Sequence, residues 1–187
     1  MFNIIVSIGI VIAFMLPLIR LVVKRIILLI KLKRLCMRKN IQLIPTHLCW
    51  FLGSNRYKNT DVYIVTKRKV YSVKLFSVLE RRSHLVFTDD IHYFIRSFRL
   101  TVVHFYYSHD HRGNLAKLKT WIDYDMKYKY NSEWYMKDFE PILLVNPVCW
   151  EITKVNKFAK EETLGSGDII NNMFLYTADR FIDHIEF

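Results

Sequence analysis

Two groupings in this 187-residue chain have residue types suited to chemistry. Asp61 opens the segment Asp-Val-Tyr-Ile-Val-Thr, and Lys74 stands in the next one, after Ser72 and Val73. A carboxylate and an amine at these positions fit one alternating hairpin; the plainer alternative is a hairpin whose lysine faces solvent. The second grouping is His109 and His111, with His104 and Asp110 nearby. Neutral imidazoles two residues apart share a metal when the chain is extended, whereas in a polar loop they are simply hydrated. Gly165-Ser166-Gly167-Asp168 lacks the spacing and the lysine of a phosphate-binding loop and reads as a turn. Cys36, Cys49 and Cys149 form no CxxC pair and read as small buried hydrophobes of a reducing compartment. No Ser-His-Asp or Cys-His arrangement stands out.

The elements that must position these residues are legible in part. Asp61 to Thr66 is β-branched and aromatic, Lys67-Arg68-Lys69 is a short basic connection, and Val70 to Phe76 alternates Tyr71, Val73 and Leu75 against Ser72 and Lys74. This predicts an antiparallel hairpin. His84 to Thr88, a turn at Asp89-Asp90, and Ile91 to Arg96 predict a second. Ile41 to Pro45 reads as a short strand after a helix stop at Asn40. Thr46 to Leu52, with His47 and Trp50, reads as core packing, and Gly53 to Thr60 as a polar loop. Ser97 to Tyr107 fits strand or helix, and Ser108 to Asn114 a polar loop. Leu115 to Ile122 fits a short helix and Tyr124 to Tyr130 an exposed strand. Ile142 to Val145 reads as a buried central strand, Val148 to Val155 as another, and Asn156 to Gly167 as polar. Ile169 to Tyr176 contains a strand, and Thr177 reads as the N-cap of a final helix with Asp179 in its first turn.

The arrangement of Asp61 with Ser72-Val73-Lys74 resembles the PD-(D/E)XK nuclease fold, in particular its nuclease-related-domain branch. That resemblance implies an Asp at the start of one strand, and an acid, any residue and a Lys on the next. The acids would hold a divalent metal, Mg²⁺, while the lysine positions water or stabilises charge during phosphodiester cleavage. It assigns Asp61 and Lys74 as catalytic and Asp61 as metal ligand, with nucleic acid as partner. The sequence departs from the pattern at Ser72, a poor Mg²⁺ ligand where the second acid belongs. VYSVKLF, FIR and LLVNP also resemble stretches of an uncharacterised family of single-pass bacterial membrane proteins.

Charge points the same way as that second resemblance. Residues 1–60 hold ten Lys/Arg and no acid, whereas residues 61–187 hold 18 basic and 17 acidic side chains. A nucleic-acid binder spreads its charge over the folded surface; here it sits beside an apolar run, as at a membrane surface. Phe2 to Ile19 carries no charge. As a helix it reaches about 27 Å, close to a hydrocarbon core of about 30 Å. Arg20 can snorkel, letting Leu21 to Val23 extend the span, and Pro17 is a point for a kink. A cleaved signal peptide wants basic residues before the run and small ones after it; this chain has neither. A buried helix of a soluble protein is the other alternative. With all eight nearby basic residues following the run, the positive-inside bias puts the N-terminus outside and the rest in the cytoplasm.

Arg20, Lys24, Lys31, Arg34 and Arg38 fall within one helical stripe about 80° wide, with Leu28, Leu32 and Leu35 on other faces. Beside an anionic leaflet each is worth about 1 kcal/mol, screened by salt. The later turns also suit the first helix of the domain.

The sequence thus predicts a mixed α/β (α+β) protein. Residues 1–23 form a transmembrane anchor and 24–39 a basic amphipathic juxtamembrane helix. Residues 40–187 form one cytoplasmic domain, with a largely antiparallel sheet and flanking helices. The expected function is non-catalytic binding or scaffolding at the inner leaflet of the cell membrane, with anionic lipid as partner and no cofactor. The alternative is a metal-dependent nuclease-like enzyme with a degenerate site, Mg²⁺ and nucleic acid entering only there.

Overall fold

A computed structural model describes residues 2–46, 60–78, 83–89, 92–99, 107–108, 111–114, 137–156, 158–170 and 172–185. For 2–14, 17, 97–99, 107–108 and 111–114 it describes the backbone alone. Helix α1 (Phe2–Lys39) leads into β1 (Gln42–Pro45), β2 (Val62–Val65), β3 (Lys69–Phe76), β4 (Ser83–Phe87) and β5 (His92–Arg99). Then come β6 (Tyr107–Ser108), β7 (His111–Asn114), β8 (Asp138–Val145) and β9 (Glu151–Val155). The chain closes with β10 (Glu161–Thr163), β11 (Ile169–Ile170), β12 (Met173–Thr177) and α2 (Ala178–His184).

The mixed α/β class holds, but there are two sheets. The first runs β1-β2-β3-β8-β12-β11; the second runs β10-β9-β4-β5-β6, with β7 also on β5. Seven of the ten described strand pairings are antiparallel, including both expected hairpins, β2–β3 and β4–β5. The three parallel ones join β3 to β8, β8 to β12 and β4 to β9. The centre of the first sheet is therefore parallel, and Val70 through Phe76 and Ile142 through Val145 are buried on both faces.

One face of that sheet carries α1 and α2. Leu28, Leu32 and Cys36 meet Val62, Ile64, Tyr71, Val73, Leu75, Ile142, Leu144 and Tyr176, together with Phe181 and Ile185. The last three turns of α1 are thus part of the domain's own core. The other face packs Phe76, Leu143, Val145, Met173 and Leu175 on Leu85, Phe87, Tyr93 and Ile152 of the second sheet. Phe76 meets Tyr93 edge to face at 4.8 Å. The order of layers is helices, first sheet, second sheet.

Local signals explain the joints. Asn40 takes a left-handed φ of 54°, and the Ile41 N–H donates to the Cys36 carbonyl at 2.9 Å, closing α1 where the sequence predicts a stop. Gly165–Asp168 is a turn, with the Gly165 N–H on Asp168 Oδ2 at 2.7 Å and Gly167 at φ 102°. Thr177 is the N-cap of α2 in extended conformation, but its side chain makes no capping bond.

The strand expected within Ile169 to Tyr176 is β12, and β11 pairs with it as a hairpin turned at Asn172, φ 58°. Two expectations are corrected. His111–Asn114 is not loop but strand β7, paired to His92–Ile95, because an open edge of β5 offers backbone partners that side-chain polarity does not reveal. Lys74 does not face solvent, since sheets and helices close over both sides of β3. The readings of residues 47–59, 100–106, 115–122 and 124–130, and of His47, Cys49, Trp50, His104, His109 and Asp110, lie outside the described residues.

Among the described residues no helix is long and apolar enough to cross a membrane. Most of the uncharged run from Phe2 to Ile19 lies outside the residues whose side chains are described.

Cys36 and Cys149 are buried free thiols, and burial pushes both up to about 11 from an ordinary 9.0. The unfolded chain ionises first, so their contribution to stability is intact below pH 9 and is lost as pH rises towards 11. The expected result is that iodoacetamide at pH 8 labels neither thiol in the native protein and both in urea, read by mass spectrometry of peptides.

Candidate functional site

The hairpin β2–β3 brings Asp61 and Lys74 together. Val62 pairs with Val73, and the Asp61 N–H donates to the Val73 carbonyl at 3.0 Å, which sets Asp61 beside Lys74 on the face away from the helices. Lys74 Nζ lies 3.1 Å from Asp61 Oδ1 and 3.0 Å from Oδ2. The Leu75 N–H donates to Oδ2 at 2.7 Å. Both side chains are 1% exposed. The carboxylate is thus engaged by an ammonium and a backbone donor in a water-poor interior.

Around this pair stand residues that motif spacing does not single out. Arg25 of α1, 1% exposed, donates from Nη2 to Ser77 Oγ just past β3. Ser77 Oγ donates to the Asn146 carbonyl at 2.7 Å, and Asn146 Nδ2 to the Lys24 carbonyl at 3.3 Å. Thr60 and Ser72 share a hydroxyl bond of 2.8 Å. The polar cluster therefore gathers at the carboxyl ends of parallel β3 and β8 and ties α1 to them. The sequence does hold a signal for Arg25. Its helical phase lies with Leu28 and Leu32, not with the basic stripe.

Burial pushes the Lys74 ammonium below the usual lysine range; Asp61 opposes this and Arg25 adds to it. Burial also brings the Arg25 guanidinium down to about 10, with Asp61 holding it up.

No family model, curated protein or solved structure matches this chain. The chemistry must therefore be judged from the donor set. The resemblance asks for Mg²⁺ held by acids. Asp61 already faces Lys74 and Leu75, Ser72 faces Thr60, and among the described residues no group of three His, Cys, Asp or Glu is placed to hold a metal. These residues do not fit a divalent ion. Asp89, in the β4–β5 turn, is exposed and bound to His92.

Two further polar groupings serve packing. Glu140 accepts from Lys69 at 3.2 Å and bonds His184 at 2.8 Å, and that imidazole stacks on Tyr176 at 4.5 Å, which pins the end of α2 to β8. His84 bonds Thr153 at 2.8 Å, joining the parallel strands β4 and β9.

Proposed function

We propose that this chain is a membrane-held, non-catalytic binding or scaffolding module. Residues 2–19, extending towards Val23, serve as a single anchor with the N-terminus outside. The two-sheet domain sits in the cytoplasm against the inner leaflet, with anionic lipid as partner. The observation that carries the non-catalytic half is the Asp61–Lys74 pair. Each partner is 1% exposed and spends its charge on the other, so neither is offered to a substrate. The membrane half is supported by a run of eight basic residues without one acid after the uncharged stretch.

A metal-dependent nuclease-like enzyme with a degenerate site remains the second reading, favoured by one observation: the hairpin does bring Asp61 and Lys74 together as the resemblance implies. The full chain in detergent, incubated with single-stranded and duplex DNA or RNA and Mg²⁺, is expected to leave them intact. Cleavage that Asp61→Ala and Lys74→Ala both abolish, with the variants still folded, would replace the binding reading. A reporter fused after Phe187 is expected to behave as cytoplasmic; activity on the outer side would reject the orientation.

A further inference from the structure

Helix α1 has three faces where the sequence suggests two. Taking about 100° per residue, Arg25, Leu28, Leu32 and Cys36 face the first sheet. The basic stripe from Arg20 to Arg38 lies on one flank, with Lys31 paired to Asp179 of α2 at 2.6 Å. Between that stripe and Lys33 on the opposite flank runs a third strip. Ile19, Val23, Ile26 and Ile30 line it at 51%, 47%, 41% and 43% exposure, all within about 60° of one another. Four large aliphatic side chains in line on one exposed helix face need a cover.

The basic stripe says which. From Ile19 to Arg38 a helix advances about 28 Å, while charges are screened beyond about 8 Å. A helix that continued along the membrane normal would carry Lys31, Arg34 and Arg38 out of reach of any headgroup. It would also leave Ile26 and Ile30 in water. Laid along the surface, the same helix puts the aliphatic strip into the acyl boundary and the basic flank at headgroup level. A second copy of the chain fits less well. The 3-4 spacing of the strip suits helix pairing, and Met37, 74% exposed, resumes the seam, but Lys33 interrupts it, Arg20 and Arg34 flank it, and Asp179, an acid on that flank, is already paired with Lys31.

We propose that residues 19–39 of α1 lie in the plane of the inner leaflet. Ile19, Val23, Ile26 and Ile30 point into an anionic bilayer, and the first sheet is carried on the helix's other side. This rests on the membrane reading above, ends the span before Ile19 instead of extending it towards Val23, and adds the orientation of the domain to it. Helix α1 runs unbroken from Phe2 to Lys39, so this placement requires residues 2–18 to bend into the bilayer at Pro17, which lacks the N–H for an i→i−4 bond.

The test uses the full chain in vesicles of phosphatidylcholine and phosphatidylglycerol. Nitroxide labels are placed by Ile19→Cys, Val23→Cys, Ile26→Cys and Ile30→Cys, one at a time, with the native cysteines replaced by alanine. Phe158→Cys, at a position 71% exposed in the β9–β10 connection, is the aqueous control. The expected result is one shared depth, with high oxygen accessibility at all four positions and none of the depth signal at 158. A depth falling by about 16 Å from Ile19 to Ile30 would overturn the in-plane placement while leaving the anchor standing. Strong dipolar broadening between labels at Ile26 or Ile30 would show a second copy on the strip and overturn it too. A chain that does not sediment with the vesicles would overturn both this placement and the membrane reading. If the cysteine-free background does not fold, Ile19→Trp and Ile30→Trp in the native background are compared by brominated-lipid quenching. Equal added quenching is expected, and quenching at 19 alone would overturn the proposal.

Discussion

Replacing Asp61 by alanine is expected to cost about 3–5 kcal/mol of stability, the cost of leaving a buried cation without its partner. Lys74 would keep its stem between two packed layers and lose the carboxylate 3.0 Å away, while buried Arg25 would lose a stabilising charge. The Leu75 N–H would lose its acceptor as well, at about 1–3 kcal/mol for a buried donor. For a domain whose whole stability is about 5–15 kcal/mol, that is a large fraction. Asp61→Asn is expected to be milder than Asp61→Ala, because an amide oxygen still accepts from Leu75. Asp61→Asn combined with Lys74→Met should cost less than the sum of the two single changes, since the methionine removes the stranded ammonium and fills its volume. Urea unfolding of the full chain in detergent, followed by tryptophan fluorescence, measures all four corners. Additive single and double changes would show that the pair is not coupled and would reopen a catalytic reading of Lys74.

The pH dependence has a definite sign. Burial lowers the folded-state value of Lys74 below 10.5, so the unfolded chain binds the extra proton. Stability from this group is therefore fully present above 10.5 and is lost as pH falls through the folded value. The parent protein should gain on Lys74→Met as pH rises towards 10.5, a difference in which the opposing titration of Cys36 and Cys149 cancels.

The second large effect is expected at Leu32. It is 0% exposed and sits between α1 and the first sheet. Leu32→Ala should cost about 2–5 kcal/mol, from lost burial plus the cavity left behind. Ile30→Ser, two residues away on the exposed strip, should change stability by less than about 0.5 kcal/mol in detergent, as surface positions do. The contrast separates two accounts of residues 24–39. As a mere connector between an anchor and a domain, the helix would give small effects at both positions. As the outer layer of the domain it gives a large effect at Leu32 alone. Equal, small shifts in the unfolding midpoint would reject the packing of α1 on the sheet.

Much of the local architecture was legible because it is written in adjacent residues. The hairpins β2–β3 and β4–β5 need only alternation and a short turn. Asn40 can take the left-handed conformation that closes a helix. The contrast between a +10 segment and a nearly neutral remainder is plain arithmetic on the chain. The convergence of Asp61 and Lys74 was legible for the same reason, since a single hairpin brings them side by side.

What tertiary structure decided is where partners come from distant parts of the chain. Nothing local to Ile142–Val145 says that β8 will run parallel to β3 on one side and β12 on the other. That placement buries both faces of β3 and turns the alternating Lys74 from an expected surface residue into a buried ion. Alternation tells which residues share a face, but a face becomes solvent or interior only when another layer arrives. Arg25 shows the same limit. In sequence it is one cation among eight, and in the fold it is locked to Ser77 at the end of β3 because its helical phase points at the sheet. The sequence by itself therefore determined charge asymmetry, the hairpins and the stop at Asn40. Only the packing of two sheets and a helix decided that Asp61 and Lys74 are sealed together, because desolvation is a property of layers and not of neighbours along a chain.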